Sequence, residues 1–371
     1  MAQMNSKRII IKLGTSTLTA GTPRLSAPRL VDLVRQMAQL QSNGHELILV
    51  TSGAIAAGRE WLSYPQLPKD IPRKQMLAAV GQPRLMALYE QLFGLYNLKV
   101  GQVLLTRTDL TDRRRYLNSR NTLIALLTQR VVPVINENDT VATEEIRVGD
   151  NDTLSALAAN LVEADLLIIL TDQPGLLTAD PRRDPEARLI RQVDGLEIPA
   201  QLWQAAGGSA GQLGTGGMLT KLHAADLARR SGVMVVIGRG SDPDVLLRIE
   251  AGEEIGTRFL PTATGVESRK RYLLAGGNSQ HRLVVDQGAC LALQNRSSLL
   301  PVGVLNVIGD FDRGDIVRVQ DEEGREMARG LVNYSAVDLA KISRHRSTEI
   351  ETILGYVYSE EIIHRNNLVL L

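Results

Sequence analysis

Val131 to Asp172 reads VVPVINENDTVATEEIRVGDNDTLSALAANLVEADLLIILTD. An apolar run ends at Asn136, a stretch crowded with short polar side chains follows, and a helical pattern starts near Thr153. A second apolar run then closes on Thr171 and Asp172. Neither apolar run alternates with polar residues, which is how strands buried on both faces read. Such strands alternating with helices argue for a mainly parallel open sheet with helices on both faces. Ligands of such sheets bind beyond the carboxyl ends of the strands. Asn136, Glu137, Asn138, Asp139, Asp150, Asn151 and Asp152 stand at such an end, and a turn alone needs far fewer polar groups.

The same grammar extends in both directions. RIIIKLG, ELILVTSG, LKVGQVLLT and VMVVIGRG are further strand candidates. Between them run the helical patterns RLVDLVRQMAQLQSNG, RKQMLAAVGQPRLMALYEQLFGLY, DRRRYLNSRNTLIALLTQ and GGMLTKLHAADLARRSG. The character changes near residues 262–280. Beyond it stand short β-type runs, HRLVVDQGACLAL, VGVLNVIG and DIVRVQDEEGREMARGLVNY, in which DEEG has turn chemistry. The chain is therefore read as an α/β domain over 1–262, a linker over 263–279 and a small β-rich domain over 280–371.

A chain of 371 residues suits two domains, and 44% hydrophobic residues suit sizeable cores. A net charge of +1 makes no whole-chain electrostatic case for nucleic acid or membrane surfaces. Cys290 is the single cysteine, which excludes an intramolecular disulfide and fits a reducing compartment. No signal peptide or membrane-length apolar segment stands out. These features predict a cytoplasmic protein with no membrane association.

Polar residues cluster at five strand ends. Lys12 is followed by Gly14, Thr15 and Ser16; Thr51, Ser52 and Gly53 are followed by small residues that would let a backbone approach a ligand closely. Asn136 to Asp139, then Thr171 with Asp172, end two more strands. Gly214 to Lys221 forms a glycine-rich turn that opens a helix. Each feature alone has an ordinary structural reading, as a cap, a turn or a packing device. Together they suit phosphoryl transfer, with backbone N–H groups and lysines facing phosphates and carboxylates near Mg²⁺. The chain contains no GxxxxGK[ST], HRD or DFG, so a nucleotide site here has another design.

IIIKLGTS, LVTSGAIAAGR, VPVINENDTVAT, VGDNDTLSALAA, LTDQPGLLTADPR and GQLGTGGMLTKLHAA resemble the glutamate 5-kinases, a branch of the amino-acid kinase family. DQGACLAL, SSLLPVGV and FDRGDIVRV resemble the PUA domain at the C-terminus of many members. The resemblance implies ATP-dependent conversion of L-glutamate to L-glutamyl 5-phosphate, the first step of proline biosynthesis from glutamate. It implies catalytic roles for Lys12, Lys221 and Asp152, with Asp152 orienting both lysines. Ser52, Asp139 and Asn151 would bind glutamate. Lys12, Thr171, Asp172, Thr215, Gly216, Gly217, Met218, Leu219, Thr220 and Lys221 would bind ATP. Mg²⁺ would accompany the nucleotide, with Asp150 as its nearest acidic neighbour, and residues 140–149 would form a flap or hairpin over the site.

The resemblance further implies feedback inhibition by proline, a homo-dimer or tetramer, and hand-off of a reactive acyl phosphate to glutamyl phosphate reductase. An acceptor carboxylate with an ordinary pKa of about 4.3 is already ionised at neutral pH, so no general base is needed. None of the five histidines is read as catalytic. Leu177 stands where the family often has an aromatic residue, a departure expected to alter packing in that hairpin rather than activity. Two competing readings are RNA binding through the PUA domain, and a kinase of the same fold acting on aspartate, acetylglutamate, carbamate or UMP.

Overall fold

Ile9, Ile10 and Ile11 are fully buried, so the strand they occupy has protein on both faces. A computed structural model describes residues 6–68, 70–142, 151–181, 184–207, 217–262 and 280–371 of the chain. The elements up to residue 262 follow in chain order. They are β1 (Arg8–Leu13), α1 (Thr15–Thr19), α2 (Ala27–Ser42), β2 (Glu46–Thr51), α3 (Ala54–Trp61) and α4 (Ile71–Gly94). Next come β3 (Val100–Leu105), α5 (Arg107–Thr111), α6 (Arg113–Thr128), β4 (Val132–Glu137), α7 (Asn151–Val162) and β5 (Leu166–Thr171). The last are β6 (Gln192–Val193), α8 (Ala200–Ala205), α9 (Met218–Arg230), β7 (Met234–Arg239), α10 (Val245–Glu250) and β8 (Thr257–Phe259).

These strands form one sheet in the order β3-β4-β2-β1-β5-β7-β8-β6. Every neighbouring pair from β3 to β7 is parallel, as the unalternating Val, Ile and Leu runs predict. The edge departs from that rule, because β8 is antiparallel to β7. Side chains alternate across the sheet. Ile9, Ile11, Leu13, Leu47, Leu49, Leu166 and Ile168 share a core with Leu33 and Met37 of α2 and Leu85, Tyr89 and Phe93 of α4. Ile10 and Lys12 therefore point to the opposite face, where α7 packs on β1 and β5 and α9 on β7.

The small residues after Ser52 serve packing. A Cβ on Gly58 would stand 2.0 Å from the Leu77 carbonyl oxygen, and one on Gly81 would stand 1.8 Å from that of Ala54. The backbones of α3 and α4 thus touch, and only glycine fits at the crossing. Asp70 starts α4 by accepting the Arg73 N–H at its side chain, with Pro72 in the first turn.

The C-terminal sheet contains β9 (Arg282–Val285), β10 (Val304–Ile308), β11 (Ile316–Gln320), β12 (Glu326–Leu331) and β13 (Leu368–Leu370) in the order β10-β9-β11-β12-β13. The β-type reading of His281 to Leu293 holds only as far as Val285. Asp286 accepts the Ala289 N–H at 2.7 Å and caps a helix over Gln287–Gln294. DEEG turns as its composition predicts, with Gly324 at φ 84° and Asp321 accepting the Glu323 and Arg325 N–H groups. Phe311, Tyr334, Ile350 and Ile363 help fill this domain's own core.

The chain divides into two compact units, 1–110 with 119–264 and 111–118 with 265–371. The expected linker, 263–279, lies outside the described residues.

Substituting Gly81→Ala should lower the denaturant midpoint by the equivalent of about 1–3 kcal/mol, the usual range for overpacking. Gly94→Ala, at a helix end where a Cβ meets nothing within 4 Å, is the control and should be neutral or stabilising. Equilibrium denaturation of the two variants checks this.

Candidate active site

Lys12 pairs in register with Val50 of β2 and Ile169 of β5, so the ends of both neighbours lie beside it by construction. Its side chain runs towards the first turns of α7 and α9. There its Nζ lies 2.5 Å from Oδ1 of Asp152, the second residue of α7. The other carboxylate oxygen, Oδ2, lies 3.2 Å from Lys221 Nζ and accepts the Thr220 hydroxyl at 2.7 Å. All three charged residues are buried, at 4% exposure for Lys12, 2% for Asp152 and 9% for Lys221.

A carboxylate near a helix N-terminus is favoured by the helix dipole, and an ammonium there is not. Lys221 is thus held at the start of α9 by Asp152 and by the Gly217 carbonyl, 3.4 Å away. Gly217 opens α9 at φ 95°, a conformation that favours glycine.

The electrostatics follow from burial. For Asp152, burial pushes the pKa up, but the two ammonium groups and the bonds from Lys12 and Thr220 outweigh it and hold the carboxyl at about 2. For Lys12, burial is the largest influence and lowers the pKa; Asp152 opposes it and Lys221 adds to it. Two ammoniums share one carboxylate. The cluster therefore carries surplus positive charge in a water-poor setting, where an anion is strongly attracted.

A second cluster adjoins the first through the chain, because Asn151 precedes Asp152. Asn151 Nδ2 donates to Ser52 Oγ at 3.0 Å and to Asn136 Oδ1 at 3.1 Å. Asn151 Oδ1 is buried and accepts no hydrogen bond. Asp139 is half-buried beyond β4, with no counter-ion among the described residues. Burial alone pushes its carboxyl up to about 6.

The remaining expected residues occupy the same edge. Thr171 ends β5, buried, and donates its hydroxyl to Asp172 Oδ1 at 2.9 Å; Asp172 is exposed. Met218 is half-buried, whereas Leu219 turns its side chain into the interior at 5% exposure, so only its backbone faces the turn. Leu177 forms an antiparallel bridge with Leu189. Asp150, Thr215, Gly216 and most of the expected flap lie outside the described residues.

Among the described residues, no three His, Cys, Asp or Glu side chains gather where a metal could sit. His45 is buried and accepts the Lys7 N–H, and His223 packs on Trp203. Sequence reasoning gave no role to Gln82, whose Oε1 accepts from Asn136 Nδ2 at 2.7 Å. Asn136, where the apolar run of β4 gives way to polar residues, was the one signal pointing there.

The chain is similar to known proteins over nearly its whole length. Residues 7–238 match the amino acid kinase family and residues 281–354 the PUA domain. A glutamate 5-kinase of Photobacterium profundum is 56% identical, covering 98% of this chain and 96% of its own. A glutamate 5-kinase of Deinococcus radiodurans is 54% identical over 98% of this chain and all of its own. A carbamate kinase from Giardia lamblia, solved with AMP-PNP, superposes with a TM-score of 0.50 at 14% identity, over 69% of this chain and 98% of its own. That likeness concerns the fold alone.

Removing the shared charge should be costly for stability. Asp152→Asn leaves two buried ammoniums uncompensated and should lose about 3–5 kcal/mol in equilibrium denaturation. In the parent protein the Asp152 pKa is depressed, so its contribution is complete above the unfolded value of about 3.9. It is lost as pH falls towards about 2. The stability difference between parent and variant should therefore shrink across that acid window.

Proposed function

Since the chain belongs to the amino acid kinase family, and within it to the glutamate 5-kinases, we propose that it transfers the γ-phosphoryl group of ATP to the side-chain carboxylate of L-glutamate. The product is L-glutamyl 5-phosphate, the first intermediate on the route to proline. The observation that carries this reading is the Asp152 carboxylate held between the Lys12 and Lys221 ammoniums. A carboxylate attacking a polyphosphate brings two anions together, and the repulsion is the main obstacle. Fixed, desolvated cations aimed at the transferring group lower that barrier without reorganisation at the moment of reaction.

The roles follow from position. Lys12 and Lys221 flank the phosphoryl group in flight, and Asp152 fixes their spacing. The start of α9, from Gly217 to Lys221, offers unpaired N–H groups to ATP phosphates, with Thr171 and Asp172 across the nucleotide and Thr215 and Gly216 completing the turn. Ser52, Asn151 and Asp139 hold glutamate, with Asp139 as counter-ion of the α-ammonium. Bound with ATP, Mg²⁺ would supply neutralisation of charge on the phosphates. Asp152 has both oxygens engaged by the lysines and Thr220, and Asp150 is the acidic neighbour of the metal expected from the sequence.

No side chain needs to remove a proton from the nucleophile. Residues 1–262 carry this chemistry and 280–371 form the PUA domain, joined by 263–279. Among the described residues no helix is long and apolar enough to cross a membrane. We extend the proposal to a cytoplasmic homo-oligomer inhibited by proline, which offers an ammonium and a carboxylate to the same groups as glutamate. A reductase consuming the acyl phosphate would follow.

Trapping the acyl phosphate with hydroxylamine tests the reaction. Hydroxamate should form with MgATP and L-glutamate but not with aspartate or N-acetylglutamate. It should fall by about 10²–10³ or more in Lys12→Ala and in Lys221→Ala. Hydroxamate from another acid but not glutamate would overturn the substrate assignment.

The pKa of Asp139 gives an independent check. Only the carboxylate form pairs with an ammonium, and burial raises this group to about 6. As pH falls through that value, kcat/KM for glutamate should decline, since this ratio reports the free enzyme. Asp139→Asn should remove that limb and leave a uniformly low value.

A further inference from the structure

The orientation of the Asn151 amide is set by a chain of hydrogen bonds that begins at one backbone N–H. Glu137 N donates to Asn136 Oδ1 at 2.9 Å. A backbone N–H can only donate, so the atom facing it must be the Asn136 oxygen. The Asn136 NH₂ then faces Gln82, which must present its own oxygen, 2.7 Å away. Gln82 Nε2 in turn donates to Gln102 Oε1 at 3.1 Å. On the other side, Asn136 Oδ1 faces Asn151, which must present its NH₂. Asn151 spends both amide hydrogens on Asn136 and Ser52. What remains is Oδ1, buried and unpaired, an acceptor awaiting a donor. Ser52 Oγ accepts from Asn151, so its own hydrogen is free to donate.

We infer that Gln82 is a positioning residue that, together with the Glu137 N–H, holds the hydrogen-bond polarity of Asn136 and Asn151, so that the site presents an acceptor to an ammonium and selects acids with a free amino group. This rests on the glutamate reading and refines it. An Asn151 amide would otherwise be free to turn its NH₂ towards the ligand, and the chain of bonds forbids that. The carboxylate of Asp139 is the second acceptor for the same ammonium. The Ser52 hydroxyl is left for a carboxylate. Gln82 touches no substrate in this arrangement and acts through Asn136 alone.

The test compares L-glutamate with glutarate, the same dicarboxylic acid without the amino group, in the hydroxamate assay. Three variants differ in what they offer Asn136: Gln82→Glu accepts only, Gln82→Met offers neither, and Gln82→Lys donates only. The glutamate-to-glutarate ratio of kcat/KM should stay within about threefold of the parent in Gln82→Glu. It should fall at least about tenfold in Gln82→Met and furthest in Gln82→Lys, roughly the loss of one charge-assisted bond. The change should appear in KM for glutamate, with KM for ATP unmoved.

A merely structural role would depress both acids together and leave the ratio constant. That outcome, or a ratio that ignores the order of the three variants, overturns the inference. Should the parent protein phosphorylate neither acid, the glutamate reading itself falls, and that result is distinct from the other two. Unbranched Met keeps the length and helix propensity of Gln, and thermal melts confirm that each variant is folded.

Discussion

Asp152 and the two lysines it holds impose the constraint that the rest of the kinase domain satisfies. Three charges are buried within one small volume, and two ammoniums share one carboxylate. Burying ions is expensive, and a cluster with surplus charge is worse than a matched pair. Such an arrangement survives only if the scaffold holds each partner rigidly. Lys12 comes from the central strand, Asp152 from the start of α7 and Lys221 from the start of α9. The parallel sheet brings these three together because its strand ends and the helix starts that follow share one edge. The unmatched positive charge is unfavourable by itself, and on the proposed function an anionic phosphoryl group would relieve it.

A second layer works through α4. Its crossing with α3 is so close that Gly58 and Gly81 leave no room for a methyl group. Next to Gly81 stands Gln82, which accepts from Asn136; seven residues on, Tyr89 shares a 2.7 Å hydroxyl bond with Thr51 at the end of β2. Both lie on the helix face turned towards the strand ends. Helix packing therefore reaches Asn136 and Thr51 through hydrogen bonds. On the proposed function, a packing change at α3 and α4 would thereby be coupled to recognition.

Much of the fold was legible because burial leaves a pattern. Ile9 to Ile11, Leu47 to Val50 and Leu166 to Leu170 could only be strands covered on both faces, and all three are. The antiparallel β8 was not legible, since a three-residue strand carries no periodicity. DQGACLAL misled because its Cys, Leu and Ala suit either state, and the cap at Asp286 outweighs the preceding strand pattern. At the site, Lys12, Asp152 and Lys221 stood out as polar residues at element ends, but only the resemblance joined residues so far apart in sequence. Gln82 was invisible. It lies mid-helix between Gly81 and Pro83, and its significance exists only through Asn136, more than fifty residues away.

The most direct measurement is the single-turnover rate of phosphoryl transfer in Asp152→Asn, with ATP and glutamate both saturating and the protein shown to be folded. If the carboxylate holds the two lysines on the transferring group, the chemical step should slow by about 10² or more. Glutamate and ATP affinities should stay within a few-fold of the parent. A variant that transfers phosphoryl at the parental rate would contradict this account, because the lysines would then need no carboxylate between them.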